Sequence, residues 1–261
     1  MWIRKLPLLP TIITLLSVVI MFGLGFWQLE RKAEKDERLS QIQERRSSKP
    51  FSLSELMDKY SSTDPEEANI QDFPVRFKGT GNIEQLFFID NKIVESRTGY
   101  QIVAPILTST GDILLVNLGW LRGNGIRGDL PSIPNNLILK FEQDNGNYEG
   151  SINYPSHNKM ITETNTQYGN FPALLQQIDL SQIESHLRQS SMLPEARLYP
   201  FIVNLAPESD SEFVRNWQAV VMSPEKHLGY AAQWFGLGIA ALTIYLLSLM
   251  KQLQTKNHKE N

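Results

Sequence analysis

The sequence predicts an α+β membrane protein in which two transmembrane helices flank an extracytoplasmic domain. That domain is expected to be an antiparallel β-sheet or partly open barrel with a few short helices. Three observations support this: an uncharged apolar run near each end of the chain, short strand-like segments between the runs, and turn residues that separate those segments. Apolar runs of this length are typical of membrane spans, and closely spaced strands are typical of antiparallel sheets and barrels.

The first apolar run covers residues 6–29 and is long enough to cross a bilayer. Arg4 and Lys5 precede it, as they would in a cleaved signal peptide, which is the alternative. The run is too long for a signal sequence, and no A-x-A-like site follows it. Bulky residues, Phe26 and Trp27, stand where a peptidase requires small ones. An uncleaved transmembrane helix is therefore favoured.

The second apolar run covers residues 228–250 and contains no charged residue. At 1.5 Å per residue, about 23 residues extend for roughly 35 Å, enough to span the hydrocarbon core. Ser223 is suited to the N-cap and Pro224 to the first helical position, where a missing N–H costs nothing. We therefore expect the second transmembrane helix at 224–250.

The charges predict the orientation. The tails, residues 1–5 and 251–261, each carry a net charge of +2, whereas the segment between the spans has 20 Lys/Arg and 27 Asp/Glu. Basic residues in short tails favour the cytoplasm. Both termini are expected in the cytoplasm, with domain 30–223 on the periplasmic side. Since the first span begins almost at Met1, leaving no room for a transit peptide, a multi-pass protein of the bacterial plasma (inner) membrane is expected.

Local signals predict three helical segments within the domain. Residues 30–38 carry charges of mixed sign with opposite charges four residues apart, so the first helix is expected to continue beyond the membrane. Segments 52–60 and 181–189 each open with the capping-box pattern S-x-x-E and are expected to form short helices.

The strands are predicted from short runs rich in β-branched and aromatic residues, separated by Gly, Asn, Asp or Ser turns. Segment 100–121 is expected to form a β-hairpin. The predicted strands are residues 75–78, 86–94, 100–107, 113–121, 137–141 and 199–205.

Several functions are disfavoured. The chain has no cysteine, which removes thiolate catalysis and cysteine metal sites. It also lacks the G-x-S-x-G, Walker A and H-E-x-x-H motifs, and its histidines are scattered without metal-ligand spacing: His157, His186, His227 and His258. A hydrolase or a zinc enzyme is therefore disfavoured. The acidic domain has no basic patch for nucleic acid.

Residues 123–128 spell G-x-G-x-x-G after a predicted strand. A dinucleotide-binding loop must open a helix. Pro131 and Pro134 prevent a helix at this point, so the segment is interpreted as a glycine-rich loop.

The candidate site lies where the two spans meet the outer leaflet. His227, Tyr230 and Trp234 fall at i, i+3 and i+7 on one face of the second helix, and Trp27 and Arg31 fall at i and i+4 on the first. Topology places both sets at the same depth, so together they would supply a ligand nitrogen, aromatic walls and a cation. The alternative is an interfacial aromatic belt that only anchors the helices, with His227 in water.

Small residues at Ala232, Gly236 and Ala240 form a small-xxx-small ridge on the second span. Such ridges let membrane helices approach closely. We expect this ridge to face the first span.

Three blocks resemble the Surfeit locus protein 1 family: GFWQLERK at 25–32, VNLGW at 116–120, and MSPEKHLGYAAQWF at 222–235, with Trp217 before the last. The last block is the most specific, and the likeness covers nearly the whole chain. Family members often have Arg at the position of Leu118 and Pro at that of Arg122, which leaves any role of these two positions open.

The resemblance implies a non-enzymatic assembly factor, a respiratory-chain chaperone that binds haem a transiently and helps deliver it to subunit I of haem-copper cytochrome c oxidase. It implies that partners are oxidase subunit I, haem a synthase and the lipid bilayer. His227 matches the family histidine proposed to contact haem. On this hypothesis His227 ligates the haem iron, Trp27, Tyr230 and Trp234 flank the macrocycle, and Arg31 meets a propionate. The alternative function is a membrane scaffold that stabilises oxidase subunit intermediates without binding haem.

Overall fold

The computed structural model describes residues 7–60, 70–126, 129–133, 146–163, 167–190, 196–207, 212–217 and 222–259. The chain divides into two compact units. One unit, within Met1–Ile42 and Gln218–Asn261, contains two long apolar helices, and the other, Gln43–Trp217, is rich in β-strands.

The described helices agree with the local signals. α1 continues well past the apolar run, as the mixed-sign segment predicts, and the last helix begins at the predicted proline but extends nine residues beyond Met250. The helices are α1 (Leu8–Ser47), α2 (Leu53–Tyr60), a 3₁₀ turn (Ile83–Gln85), α3 (Leu180–Gln189) and α4 (Pro224–Lys259).

The strands include all those predicted within the described residues. The predicted hairpin is formed by β4 and β5, whereas β1, β6 and β7 are not predicted; the predicted strand 137–141 lies outside the described residues. The strands are β1 (Phe51–Ser52), β2 (Pro74–Gly81), β3 (Phe87–Val94), β4 (Arg97–Thr108), β5 (Ile113–Arg122), β6 (Gly146–Asn153), β7 (Ala173–Leu175) and β8 (Leu198–Leu205).

The sheet is a closed barrel rather than an open or partly open one. Its strand order is β1-β2-β6-β8-β5-β4-β3-β7, and an additional pairing between β2 and β4 closes five strands, β2, β6, β8, β5 and β4, into a ring. It is also mixed rather than antiparallel, because β5 pairs with β8 in parallel, as do β1 with β2 and β3 with β7. These parallel pairs join segments far apart in sequence, which local patterns do not reveal.

The closing corner depends on Gly79, which pairs with Thr108 at the β2–β4 junction. A Cβ atom at Gly79 would lie 2.5 Å from Ile106 Cγ2 and 2.6 Å from the Leu107 carbonyl oxygen. Both distances are far below van der Waals contact, so only glycine allows the two backbones to approach this closely.

Both faces of the sheet are buried. Successive side chains of a strand point to opposite faces, so each strand contributes to two separate clusters. In β5, Leu114, Val116 and Leu118 fill the barrel interior, while Ile113 and Leu115 belong to a second cluster outside the barrel. The outer cluster includes Ile183 and Leu187 of α3, so α3 covers this side of the sheet. Such strands have near-continuous apolar sequences.

The start of α3 differs from the prediction. The N-cap is Asp179 rather than Ser181, because the Asp179 carboxylate accepts hydrogen bonds from the backbone N–H groups of Ser181, at 3.0 Å, and Gln182, at 3.2 Å. The Ser181 hydroxyl donates to the same carboxylate at 2.6 Å, and chiefly this bond holds the pKa of Asp179 below its usual range. By contrast, α2 shows the predicted contact, in which the Ser52 N–H donates to Glu55 Oε2 at 3.1 Å.

His186 belongs to α3 and is fully buried, at 0% exposure. Neither of its ring nitrogens has a hydrogen-bond partner in the described part of the chain. Its ring lies against the edges or faces of three aromatic rings: Phe87, Tyr168 and Phe171, with centroids 4.8–6.1 Å away. Burial lowers the pKa of His186 below its ordinary value, and the nearby charge of Glu163 opposes this only in part. The folded protein therefore holds this imidazole in its neutral form.

Replacing Asp179 with alanine should lower the free energy of unfolding by about 1 kcal/mol, since two backbone N–H groups of α3 lose their acceptor. Chemical denaturation of the full chain in detergent, followed by near-ultraviolet circular dichroism, measures the change. Ser181→Ala is the matched control. An equal or larger loss in this control would contradict the assignment of Asp179 as the cap.

Acidification should destabilise the fold through His186. Its pKa is lower in the folded than in the unfolded state, where the ordinary value is 6.5, so the unfolded chain binds the proton first. Stability is therefore lost as pH falls through about 6.5, by at most about 1.4 kcal/mol per pH unit. In thermal melts between pH 7.5 and 5.5, His186→Leu should flatten this dependence. If the melting temperature of His186→Leu depends on pH as strongly as that of the wild type, His186 is not the cause of this dependence.

Candidate functional site

The two long helices, α1 and α4, run antiparallel and are joined by a polar contact near each end of their interface. The hydroxyl oxygens of Thr11 and Tyr245 lie 2.5 Å apart, and Gln28 contacts His227. These contacts are 17 residues apart along α1 and 18 along α4, which is about 26 Å of helix in each case. This length is close to the thickness of a hydrocarbon core.

Between the polar contacts, aromatic rings fit against glycines. A Cβ atom at Gly25 would lie 2.6 Å from the ring of Phe235, and one at Gly238 would lie 2.7 Å from the ring of Phe22. The Phe235 ring also packs edge-on against Phe22 and Phe26, at centroid distances of 5.4 and 5.2 Å. These residues form the contact seam between the helices.

The predicted small-residue ridge is not part of this seam. Ala232, Gly236 and Ala240 are exposed, and no atom lies within 4 Å of the position a Cβ would take at Gly236. The prediction that this ridge faces the first span is therefore wrong. At about 100° per residue, the face that carries His227 and Phe235 turns the ridge away from α1.

His227 lies at the end of the seam and is only 8% exposed. Its Nδ1 atom is 2.7 Å from Gln28 Oε1, across the helix interface. An amide oxygen accepts hydrogen bonds and does not donate them, so in this contact Nδ1 is the donor. Within the described residues, the ring makes no second hydrogen bond. When the imidazole is neutral, this arrangement leaves Nε2 as the atom that can ligate a metal.

The other predicted site residues lie in two groups. On α4, Trp234 is half-buried and Tyr230 is 44% exposed. On α1, Trp27 is 46% exposed and lies about 160° around the helix from Gly25, away from the seam. The Arg31 guanidinium lies 5.7 Å from the Trp27 ring and pairs with Glu34 at 2.6 Å. The structure thus brings Trp27 together with Arg31 on α1.

Gln28 is the contact that the predicted site omits. Its amide is the one side-chain hydrogen-bond acceptor of residues 22–29, and polar side chains in apolar helices commonly serve to bind a neighbouring helix. This amide in an apolar stretch is therefore a sequence signal for a contact with another helix. The sequence does not identify the partner of Gln28, because the relative rotation of the two helices decides which face each presents.

The block at 116–120 supports the barrel rather than the site. Asn117 Oδ1 accepts from the Gly119 N–H at 3.2 Å, and Trp120 Nε1 donates to the Lys92 carbonyl at 2.9 Å. Arg215 donates to the Leu118 carbonyl at 2.8 Å. These bonds tie β5 to its neighbours, so this block has a structural role.

Both long helices have the length and composition of membrane spans. Their most apolar windows have mean hydropathies of 2.3 and 1.6, and only 6% of each window is buried. Exposed apolar surface of this extent marks contact with lipid or another apolar partner. The two helices thus indicate that the protein associates with a membrane.

The glycine contacts make a direct prediction about helix pairing. Gly238→Leu should drive the helices apart, since its side chain would overlap the Phe22 ring, whereas Gly236→Leu, on the open face, should not. The chain has no cysteine. Introducing Thr11→Cys and Tyr245→Cys therefore allows pairing to be measured as the rate of crosslinking by a short bismaleimide. Equal crosslinking rates in Gly238→Leu and Gly236→Leu would contradict the proposed contact seam between the helices.

Comparisons with known proteins agree with the sequence blocks. Residues 15–239 match the model of the SURF1 family. A SURF1-like protein of Rickettsia felis is 24% identical over 245 residues, covering 90% of this chain and 95% of that protein. A SURF1-like protein of Dictyostelium discoideum is 23% identical over 253 residues, covering 89% and 93%. One from Monosiga brevicollis is 30% identical over 120 residues, covering 41% and 43%. Because the family model spans most of its length, this chain belongs to the SURF1 family, whose members are known generally as oxidase assembly factors.

Proposed function

We propose that this protein is a non-enzymatic assembly factor for haem-copper cytochrome c oxidase that binds haem a transiently and assists its delivery to, or insertion into, subunit I. The contact between His227 Nδ1 and Gln28 Oε1 at 2.7 Å is the observation that carries the proposal. It leaves one imidazole nitrogen with a free lone pair at the end of an apolar helix pair. Membership of the SURF1 family supports the link to oxidase assembly.

The donor set suits haem better than a bare metal ion. The searched part of the chain has no group of three His, Cys, Asp or Glu side chains that could hold a metal. A haem iron already has four ligands from its own ring, so one histidine from the protein is enough to hold it. His227 would hold haem a through Nε2, and the haem iron would supply the Lewis acid that this nitrogen binds.

The protein would contribute an apolar surface on one side of the site. Trp234 and Tyr230 follow His227 on the same helix, and their rings offer flat faces for a macrocycle. The cluster of Phe22, Phe26 and Phe235 lies further along the seam and excludes water from beneath the histidine. A ligand that is apolar over most of its area would gain from both groups.

Arg31 and Trp27 are proposed to act at the polar edge of the ligand. Glu34 accepts from one N–H of the Arg31 guanidinium, which has five donors in all. A carboxylate such as a propionate is therefore a suitable partner for the remaining donors. Because this pair lies on the outward side of α1, such a contact would form around the edge of that helix.

We also propose the predicted location and partners: the bacterial plasma (inner) membrane, with both termini cytoplasmic, the β-rich domain periplasmic, and oxidase subunit I and haem a synthase as partners. The acidic charge of the segment between the spans and the basic tails support this orientation.

His227→Ala should abolish haem a binding. The measurement is the Soret absorbance of protein purified in detergent after co-expression with haem a synthesis, beside His157→Ala as a control at a half-exposed histidine of the β-rich unit. Added imidazole should restore part of the absorbance in His227→Ala, because it can occupy the vacated ligand position.

Full haem a occupancy with an unchanged spectrum in His227→Ala would eliminate the ligand role. If that variant also supported normal oxidase assembly, the scaffold function would be favoured, in which the protein stabilises oxidase subunit intermediates without binding haem.

A further inference from the structure

We propose that Gln28 is a positioning residue for His227, whose amide oxygen holds the proton on Nδ1 and so keeps Nε2 free to ligate. The identity of the ligand rests on the proposed function. The protonation pattern of the ring does not, and it can be measured without any ligand.

The geometry of the contact supports the proposal. The Nδ1–Oε1 distance of 2.7 Å is at the short end of the range for such hydrogen bonds. The two residues are 199 apart in sequence, on different helices, and His227 is nearly buried. In an apolar environment water does not replace a lost partner readily, so a single acceptor can decide which nitrogen is protonated.

Without this acceptor the ring has two neutral forms. One carries its proton on Nε2 and cannot ligate through that atom. With its amide oxygen facing the ring, as in this structure, Gln28 disfavours this form because the oxygen can accept but cannot donate. A histidine ligand commonly has its second nitrogen fixed by a hydrogen-bond acceptor of this kind, and losing that partner typically costs ten- to a hundredfold in metal affinity.

The chemistry of the acceptor has a further consequence. Within the described residues, no carboxylate bonds to the His227 ring; Glu225, two positions earlier, is exposed and accepts a hydrogen bond from Ser223. A carboxylate would raise the basicity of the imidazole more than a neutral amide does. The amide therefore orients the imidazole but raises its basicity only modestly, which suits a protein that must release its cofactor to a partner.

The first experiment uses ligand-free protein. Nitrogen-15 NMR of histidine-labelled full chain, with the His227 signals identified from their loss in His227→Ala, should show the Nδ1–H form in the wild type. Gln28→Leu should give a mixture with the Nε2–H form, whereas Gln28→Glu, which keeps an acceptor, should retain the Nδ1–H form. Gln233→Leu is the matched control, since Gln233 is exposed on α4.

The second experiment measures binding of haem a in detergent. Gln28→Leu should weaken affinity ten- to a hundredfold, and Gln233→Leu should leave it unchanged. Gln28→Glu should bind at least as tightly as the wild type and lower the haem reduction potential. If the leucine variant does not insert, Gln28→Met removes the amide oxygen while keeping the side-chain length.

The outcomes separate the two proposals. An unchanged ring tautomer in Gln28→Leu overturns the positioning role, even if His227→Ala shows that haem binding requires the histidine. An altered tautomer supports the positioning role. If haem a affinity proves independent of His227, the proposed haem function fails, while the NMR result still decides the role of Gln28.

Discussion

The packing of aromatic rings into glycine notches along α1 and α4 is the contact on which the candidate site depends. Within a membrane, apolar helices gain little from hiding apolar surface from each other, because the lipid tails are equally apolar. Dense packing where the helices approach closely, at Gly25 and Gly238, must therefore stabilise the association of α1 with α4. The polar contacts at the two ends of the interface fix the relative orientation of the helices. His227 meets Gln28 only because this packing fixes the rotation of each helix.

The barrel has a different role, because its interior is already full. Side chains such as Leu118 and Phe201 are completely buried within it, and five paired strands close the ring. Closure also gives each of these five strands a partner on both sides, so that the short strands β1 and β7 form the ends of the sheet. A cofactor the size of haem cannot enter such a core without unfolding it. A ligand of the proposed kind would therefore bind at the helix pair or at an outer surface, and not in the barrel interior.

Local features of the fold could be predicted because their causes lie close together in sequence. Pro224 fixes the start of α4, and the turn residues between two strand-like runs identify a hairpin in residues 100–121. Closure of the barrel could not be predicted, since it depends on Gly79 meeting Thr108 and on β8 pairing with a strand about 85 residues earlier. The site shows the same division. His227 stands out by its position in the sequence. Packing decides which helix faces meet, so the sequence reveals neither that the ridge at Gly236 points away from α1 nor that Gln28 contacts His227.

The two polar contacts at the ends of the helix pair have a mechanical consequence. Sliding α4 by one helical turn, about 5.4 Å, would separate Thr11 from Tyr245 and Gln28 from His227 at the same moment, and would also move both glycines away from their rings. All of these contacts depend on one register of α4 against α1. Any event that slides the two helices along each other therefore breaks the contact between His227 and Gln28 together with the packing at the glycines.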